Sequence, residues 1–332
     1  MTHPTFNSRE ALYQCQRSLR AQRKTALLLR KHGHYNLGTL ALFNVVWRKT
    51  KRPRDFLNYL NFKRDLGFVI RSREAKLLED FLKMDFFDRI YHRITQFHLR
   101  QVRNFIIEQK QRKETPWVEP QYRSSMLRWL SQQHAWNSQL KEKLSHAKRI
   151  AVVGNHPKLK GSKLGDEIDD ADFVVRFNLF QSSETNVEDI GTKLDLWVTA
   201  PAYKGPQPQL TPFILVTGPA MLSKQQNWHA LRYTQSPLVD TSLSVWRNLV
   251  MKLGAPPSAG VATLAFIKSQ TSATIELYGF DLRPLETGIN NEVYHHAKQN
   301  HRATGRHNWS AERVWLQYFS KQHNLVSEQT HD

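Results

Sequence analysis

Apolar positions are arranged differently in the two parts of this chain. Between about residues 20 and 115 they recur at helical spacing, interleaved with basic residues. Phe86, Phe87, Ile90, Tyr91, Ile94, Phe97, Val102, Phe105 and Ile106 form one such series, with Arg89, Arg93, Arg100 and Arg103 between them. Lys113-Glu-Thr-Pro-Trp-Val-Glu-Pro120, polar and twice interrupted by proline, marks a boundary. Beyond a helix over 122–146, short apolar runs alternate with helical patterns. The runs 150–153, 173–177, 194–198, 213–216 and 275–278 read as strands, and 241–253, 259–269 and 309–321 as helices. Alternation of this kind predicts an α/β fold, a mostly parallel, Rossmann-like sheet flanked by helices. The expected organisation is a basic helical N-terminal region, 1–115, followed by an α/β domain, 116–332.

Charge sharpens that division. Residues 1–150 hold 31 Lys+Arg against 12 Asp+Glu, and residues 151–332 hold 17 of each. The whole net charge of +19 therefore lies in the first part. This points to an anionic partner for that part: an acidic lipid surface, a phosphorylated glycan or nucleic acid. No nucleic-acid-binding motif accompanies the charge, so nucleic acid is the weaker alternative: a basic nucleic-acid-binding protein with a non-catalytic α/β domain. The 86–106 series suits either a helix packed on its own domain or one lying on an anionic membrane face. The single cysteine, Cys15, cannot form an intramolecular disulfide. The run Leu40–Trp47 is far shorter than the roughly 20 residues that cross a bilayer. The expectation is a cytoplasmic protein, soluble or peripheral on the inner membrane face.

The second part carries the candidate chemistry. In open α/β sheets ligands bind beyond the carboxyl ends of the strands. Gly154-Asn155 follows the first strand, where glycine permits close backbone approach and the asparagine amide both donates and accepts. Asn178 ends the second strand. Either asparagine could equally be a turn former. Neither G-x-G-x-x-G nor a P-loop is present. Pro256-Pro-Ser-Ala-Gly260 leads into an apolar helix, and Ser258 has the place of an N-cap, where free N–H groups favour an anion. Histidines cluster at His295, His296, His301 and His307, with Glu312 five positions after His307. Histidine can serve as a general base near neutral pH or steady a departing phosphate. Zinc-binding spacings are not among them. Asp170-Ala-Asp172 has a D-x-D pattern, but lies in an acid-rich turn at a strand entry and is discounted.

In this order the pieces resemble the eukaryotic-type sialyltransferase family, defined by large, small, third and very small sialyl motifs. The large motif resembles Val152-Val-Gly-Asn155, Gly161-Ser162, Ile168-Asp169, Asp172-Phe-Val-Val-Arg-Phe-Asn178 and Asp189-Ile-Gly-Thr-Lys193. The small motif is similar to Pro257-Ser-Ala-Gly260 with Ile275–Phe280, the third to Tyr294-His-His296, and the very small to His307 and Glu312. The resemblance implies a single-sheet variant of the GT-A glycosyltransferase fold. It implies an inverting transferase that moves an acidic 2-keto sugar, sialic acid or Kdo-like, from a CMP donor to a glycan hydroxyl. Lipopolysaccharide core or a capsule glycolipid would be the acceptor in a bacterial, cytoplasmic relative. Asn155, Asn178, Ser258, Ala259, Gly260 and His295 would bind the donor. His307 would be the base, and His296 would steady the phosphate. Gly154, Asp189, Gly191, Thr192 and Glu312 would shape the site. No metal or other cofactor is expected, because the leaving group is a nucleoside monophosphate. Ala259 stands where the family has threonine, Ala297 where it has an aromatic residue, and the family's disulfide cysteines are replaced.

Overall fold

The structure is a computed structural model that describes residues 18–85, 88–89, 120–156, 159–178, 180, 186–200, 212–219, 236–280, 307–323 and 326–327. The boundary segment 113–119 and nearly all of the 86–106 series lie outside these residues, as do His295, His296 and His301.

Over residues 18–85 the N-terminal region is helical, as its periodicity predicts. Helix α1 (Leu19–Lys31) is capped by the Ser18 hydroxyl, which accepts from the Ala21 N–H at 3.1 Å, and ends on Arg30 and Lys31, which suit the negative end of the dipole. Helix α2 (Leu37–Thr50) is capped by Asn36, and α3 (Pro53–Asp65) begins on a proline, whose missing N–H costs nothing there. Helix α4 (Ser72–Leu82) follows, then α5 (Pro120–His146).

From there strands and helices alternate: β1 (Arg149–Val153), α6 (Gly165–Asp169), β2 (Phe173–Phe177), α7 (Val187–Ile190), β3 (Leu196–Thr199), β4 (Phe213–Val216), β5 (Leu238–Asp240), α8 (Leu243–Leu253), α9 (Ala259–Lys268), β6 (Thr274–Tyr278), α10 (Trp309–His323) and β7 (Val326–Ser327). Among the described residues seven strands form one sheet in the order β5-β4-β3-β2-β1-β6-β7, and every pairing is parallel. Strands buried on both faces must be apolar almost throughout, and β1, β2, β3 and β4 are. The strand order reverses between β1 and β6. At such a switch point the chain leaves neighbouring strands in opposite directions and a crevice opens at their carboxyl ends.

The pleat sends Ile150, Val152, Phe173, Val175, Ile275 and Leu277 to one face. There they share a core with Leu140 and Leu144 of α5, with Leu249 of α8 and Leu264 of α9, and with Ala26, Leu42, Phe43 and Phe62 of the first three helices. Ala151, Val153 and Val174 face the other way, onto Ile168 and Ile190 of the short helices α6 and α7. Polar ties join the first helices to the sheet layer as well. The Trp246 indole N–H donates to Asp65 O at 2.8 Å, and the Tyr35 N–H to Gly254 O at 3.0 Å. Among the described residues no helix is long and apolar enough to cross a membrane.

Three acids of the helical layer point inward, each to a cation. Asp55, 3% exposed, receives Arg23 and the Thr50 hydroxyl; Asp65 pairs with Arg30 at 2.8 Å, and Glu74 with Lys63 at 2.7 Å. Removing one partner of such a pair strands the other. Arg23 keeps some contact with water, which reduces the loss. Asp55→Ala is expected to lower unfolding free energy by about 2 kcal/mol, read from the midpoint of urea denaturation at constant slope.

Candidate active site

The crevice between β1 and β6 is built on a close backbone contact. The Gly154 N–H donates to Tyr278 O, the last residue of β6, at 2.7 Å. A Cβ on Gly154 would lie 2.4 Å from Gly279 O and 3.2 Å from the Phe280 ring. Only glycine fits there. The Phe280 ring also covers Gly260, where a Cβ would approach it to 3.0 Å, and meets Phe177 edge to face at 6.3 Å. One aromatic side chain thus gathers the ends of β1 and β2 and the start of α9.

Both predicted asparagines stand at this edge, half-buried. Asn155 Nδ2 donates to Phe177 O at 3.4 Å. Asn178 adopts φ 46°, a left-handed conformation that asparagine tolerates better than most residues. Its N–H donates to Val198 O, and its Oδ1 accepts from the Ala200 N–H at 3.3 Å.

Helices α9 and α10 begin side by side. Ser258 caps α9, its hydroxyl accepting from the Val261 N–H at 3.4 Å. The Ser258 N–H donates to Glu312 Oε1 at 2.6 Å, so the first turn of α10 holds the first turn of α9. Asn308 caps α10 and donates to Leu253 O at 3.0 Å. His307 lies just before it. His307 Nδ1 is 2.8 Å from Pro256 O. A carbonyl oxygen only accepts, so Nδ1 carries the ring proton and Nε2 is the basic nitrogen of the neutral ring. Glu312 Oε1 is 3.9 Å from the same Nδ1. The Trp309 ring packs edgewise on the imidazole at 5.2 Å. Glu312 itself is 3% exposed, and burial pushes its carboxyl up to about 7.

Asp189, Gly191 and Thr192, expected to shape the site, belong to a lock behind β2. The Asp189 carboxylate accepts from the N–H groups of Gly161 and Lys163 at 2.7 and 3.0 Å. Asp169 accepts from the Thr192 and Lys193 N–H groups at 2.6 and 2.9 Å, and from Arg176 Nη2 at 3.3 Å. Gly191 passes so close that a Cβ would lie 2.2 Å from Asp169 Oδ1. Arg176, 1% exposed, also donates to Lys193 O at 2.7 Å and lies over the Phe180 ring at 4.3 Å. Desolvation lowers its guanidinium to about 10. The D-x-D acids are held in strand-entry contacts: Asp170 pairs with Arg149, and Asp172 accepts from the Lys148 and Arg149 N–H groups. Among the described residues no three His, Cys, Asp or Glu side chains come together in a group able to hold a metal ion. The site partners missing from the sequence reading are Pro256 O and the Phe280 ring. Phe280 stood in the small motif, but its reach to Gly154 and Gly260 is a matter of packing.

In a parallel sheet of this kind the crevice at the switch point is where ligands bind. Residues 94–216 match the model of Glycosyltransferase family 29 (sialyltransferase). An alpha-N-acetylneuraminide alpha-2,8-sialyltransferase of Xenopus tropicalis is 47% identical over 55 residues, 17% of this chain and 16% of the relative. Alpha-2,8-sialyltransferase 8E of Homo sapiens is 47% identical over 58 residues, 18% of this chain and 15% of the relative. The matched segments thus span about a sixth of the length of these curated relatives. A crystal structure of a mammalian sialyltransferase aligns with TM-score 0.44 and 20% identity, over 57% of this chain and 71% of that one. A crystal structure of a mammalian sialyltransferase in complex with Gal-beta-1-3GalNAc-ortho-nitrophenol aligns with TM-score 0.41 and 18% identity, over 63% of this chain and 86% of that one. The large motif lies within the matched residues 94–216, and over that segment the chain is similar to the sialyltransferase family. That match ends before Ser258, His307 and Glu312.

Two outcomes are expected of this geometry. Gly154→Ala forces a methyl group onto the Gly279 carbonyl, and its unfolding free energy should fall by about 2 kcal/mol or more in chemical denaturation. Glu312 favours its protonated form in the fold. Its contribution to stability is therefore complete below about pH 4.5 and is lost as pH rises through about 7, about 3 kcal/mol in all. Glu312→Gln, a neutral isostere, should flatten the decline in melting temperature across that window and melt higher than the wild type above it.

Proposed function

We propose that the protein transfers an acidic 2-keto sugar, sialic acid or a Kdo-like acid, from its CMP conjugate to a hydroxyl of a glycan acceptor, with inversion at the anomeric carbon. The observation that carries this reading is the placement of His307. Its Nε2 is made the basic nitrogen by the Nδ1 contact with Pro256 O, two residues before the cap of α9. In the proposed reaction Nε2 takes the proton of the acceptor hydroxyl as its oxygen bonds to the anomeric carbon. The bond from that carbon to the CMP phosphate breaks on the opposite face, and CMP departs with the electron pair.

The other residues bind and orient. Asn155 and Asn178 hold the CMP moiety. Ser258, Ala259 and Gly260 at the start of α9 lie where partial positive charge favours the departing phosphate; His296, or its sequence neighbour His295, is assigned to steady it by the motif alone. A monophosphate leaving group needs less neutralisation than a diphosphate, and hydrogen bonds with a helix N-terminus and histidines supply it without a metal. Glu312 positions the chemistry by fixing Ser258 and facing the His307 ring. Lipopolysaccharide core or a capsule glycolipid is the acceptor class, and the reading places the enzyme in the cytoplasm.

Purified protein incubated with CMP-Neu5Ac or freshly made CMP-Kdo, with and without a lipopolysaccharide-core extract, should release CMP in an acceptor-dependent way with one donor. His307→Ala should reduce that rate by roughly 10²–10⁴-fold. Release no faster than spontaneous hydrolysis with either donor, together with no CMP binding by titration, would sink the proposal.

A further inference from the structure

Helix α1 has two sharply different sides. Gln22 and Ala26 are buried, Leu29 packs against the core, and Arg23 and Arg30 reach inward to Asp55 and Asp65. Arg20, Lys24, Leu27, Leu28 and Lys31 recur at spacings of four, three, one and three residues, which sets them along the opposite side. All five are exposed, Leu27 at 40% and Leu28 at 43%. The helix contains no acidic residue. Leu37, which opens the next helix, is 56% exposed. Over residues 18–85 there are 16 Lys+Arg and 6 Asp+Glu, and three of the six acids are the inward pairs at Asp55, Asp65 and Glu74. The layer therefore keeps much of its negative charge inside and shows its positive charge to solvent.

We propose that this outer side of α1 docks on an anionic lipid surface. The two leucines sit between Lys24, one turn before, and Lys31, one turn after. Laid on a bilayer, leucines at this position enter the boundary between headgroups and acyl chains, while the lysine stems run along it and place their ammonium groups at lipid phosphates. A nucleic acid would satisfy the same cations and leave Leu27 and Leu28 in water. The leucines decide between the two partners. The docking side belongs to the helical layer rather than to the carboxyl edge of the sheet, so it stands independently of the proposed reaction.

Co-sedimentation of the full chain with vesicles tests this. Vesicles of phosphatidylcholine alone should bind weakly, and vesicles with about one-third phosphatidylglycerol should bind strongly. Raising salt to about 1 M, where the screening length falls to about 3 Å, should release most of the protein. Each cation near the surface is worth about fivefold in partition. Lys24→Glu with Lys31→Glu should therefore weaken binding at least about 25-fold. Leu27→Ser with Leu28→Ser should weaken it at least about tenfold. Lys252→Glu, a single charge reversal on α8, should leave it unchanged. Circular dichroism and melting temperature check that each variant is folded. Equal binding to both vesicle types, or wild-type binding by both folded double variants, would overturn the proposal. So would tight binding to a DNA duplex that needs the lysines, with no preference for the anionic vesicles.

Discussion

Seven parallel strands bring every carboxyl end to one edge of the sheet, and the reversal between β1 and β6 opens that edge at one place. Everything in the candidate site depends on how closely these two strands can approach. Gly154 and Gly279 pass with no side chain between them, and Phe280 can then lie across Gly260 and toward Phe177. A larger residue at 154 would separate β1 from β6 and move α9 off the edge. The crevice is thus a property of packed backbone, and its polar side chains are mounted on it.

Two kinds of acidic residue serve this edge. Asp169 and Asp189 are acceptors for turns, each taking backbone N–H groups that no helix or ladder satisfies. They fix the path from β1 to β3 without facing the crevice. Glu312 is different, because it is buried and its one carboxyl faces both the α9 cap and the imidazole. A carboxyl kept near neutrality by burial can hold a backbone N–H without placing full negative charge at the start of α9.

Much of this was legible in the chain. Strands β1, β2, β4 and β6 are short apolar runs bounded by polar turns, and their length and bounds suffice to find them. Strands β5 and β7 span three and two residues, too short for any alternation to register. Helices α6 and α7, five and four residues long, are not among the helices the sequence predicts, because one helical turn has no repeat to detect. Among site residues, Gly154, Asn155, Asn178, Ser258, His307 and Glu312 stood out by type and position. Pro256 did not, since its part is played by a backbone carbonyl that any residue would offer. Arg176 stood inside a motif, but its clasp on Asp169 and Lys193 joins segments that only the folded sheet brings together. The direction in which Asp55, Asp65 and Glu74 turn is likewise settled by packing and not by local pattern.

The pairing of β1 with β6 sets an order of events during synthesis. Strand β2 follows β1 closely and β3, β4 and β5 add outward in sequence, so half of the sheet can zip as the chain leaves the ribosome. The other edge of β1 waits for residue 274 to be made, because Arg149 pairs with Thr274. Until then a row of backbone donors and acceptors on an apolar strand stands uncovered, open to a neighbouring nascent chain. The same junction that forms the crevice is therefore the last long-range closure of the sheet's interior and the point at which a chaperone would have most to protect.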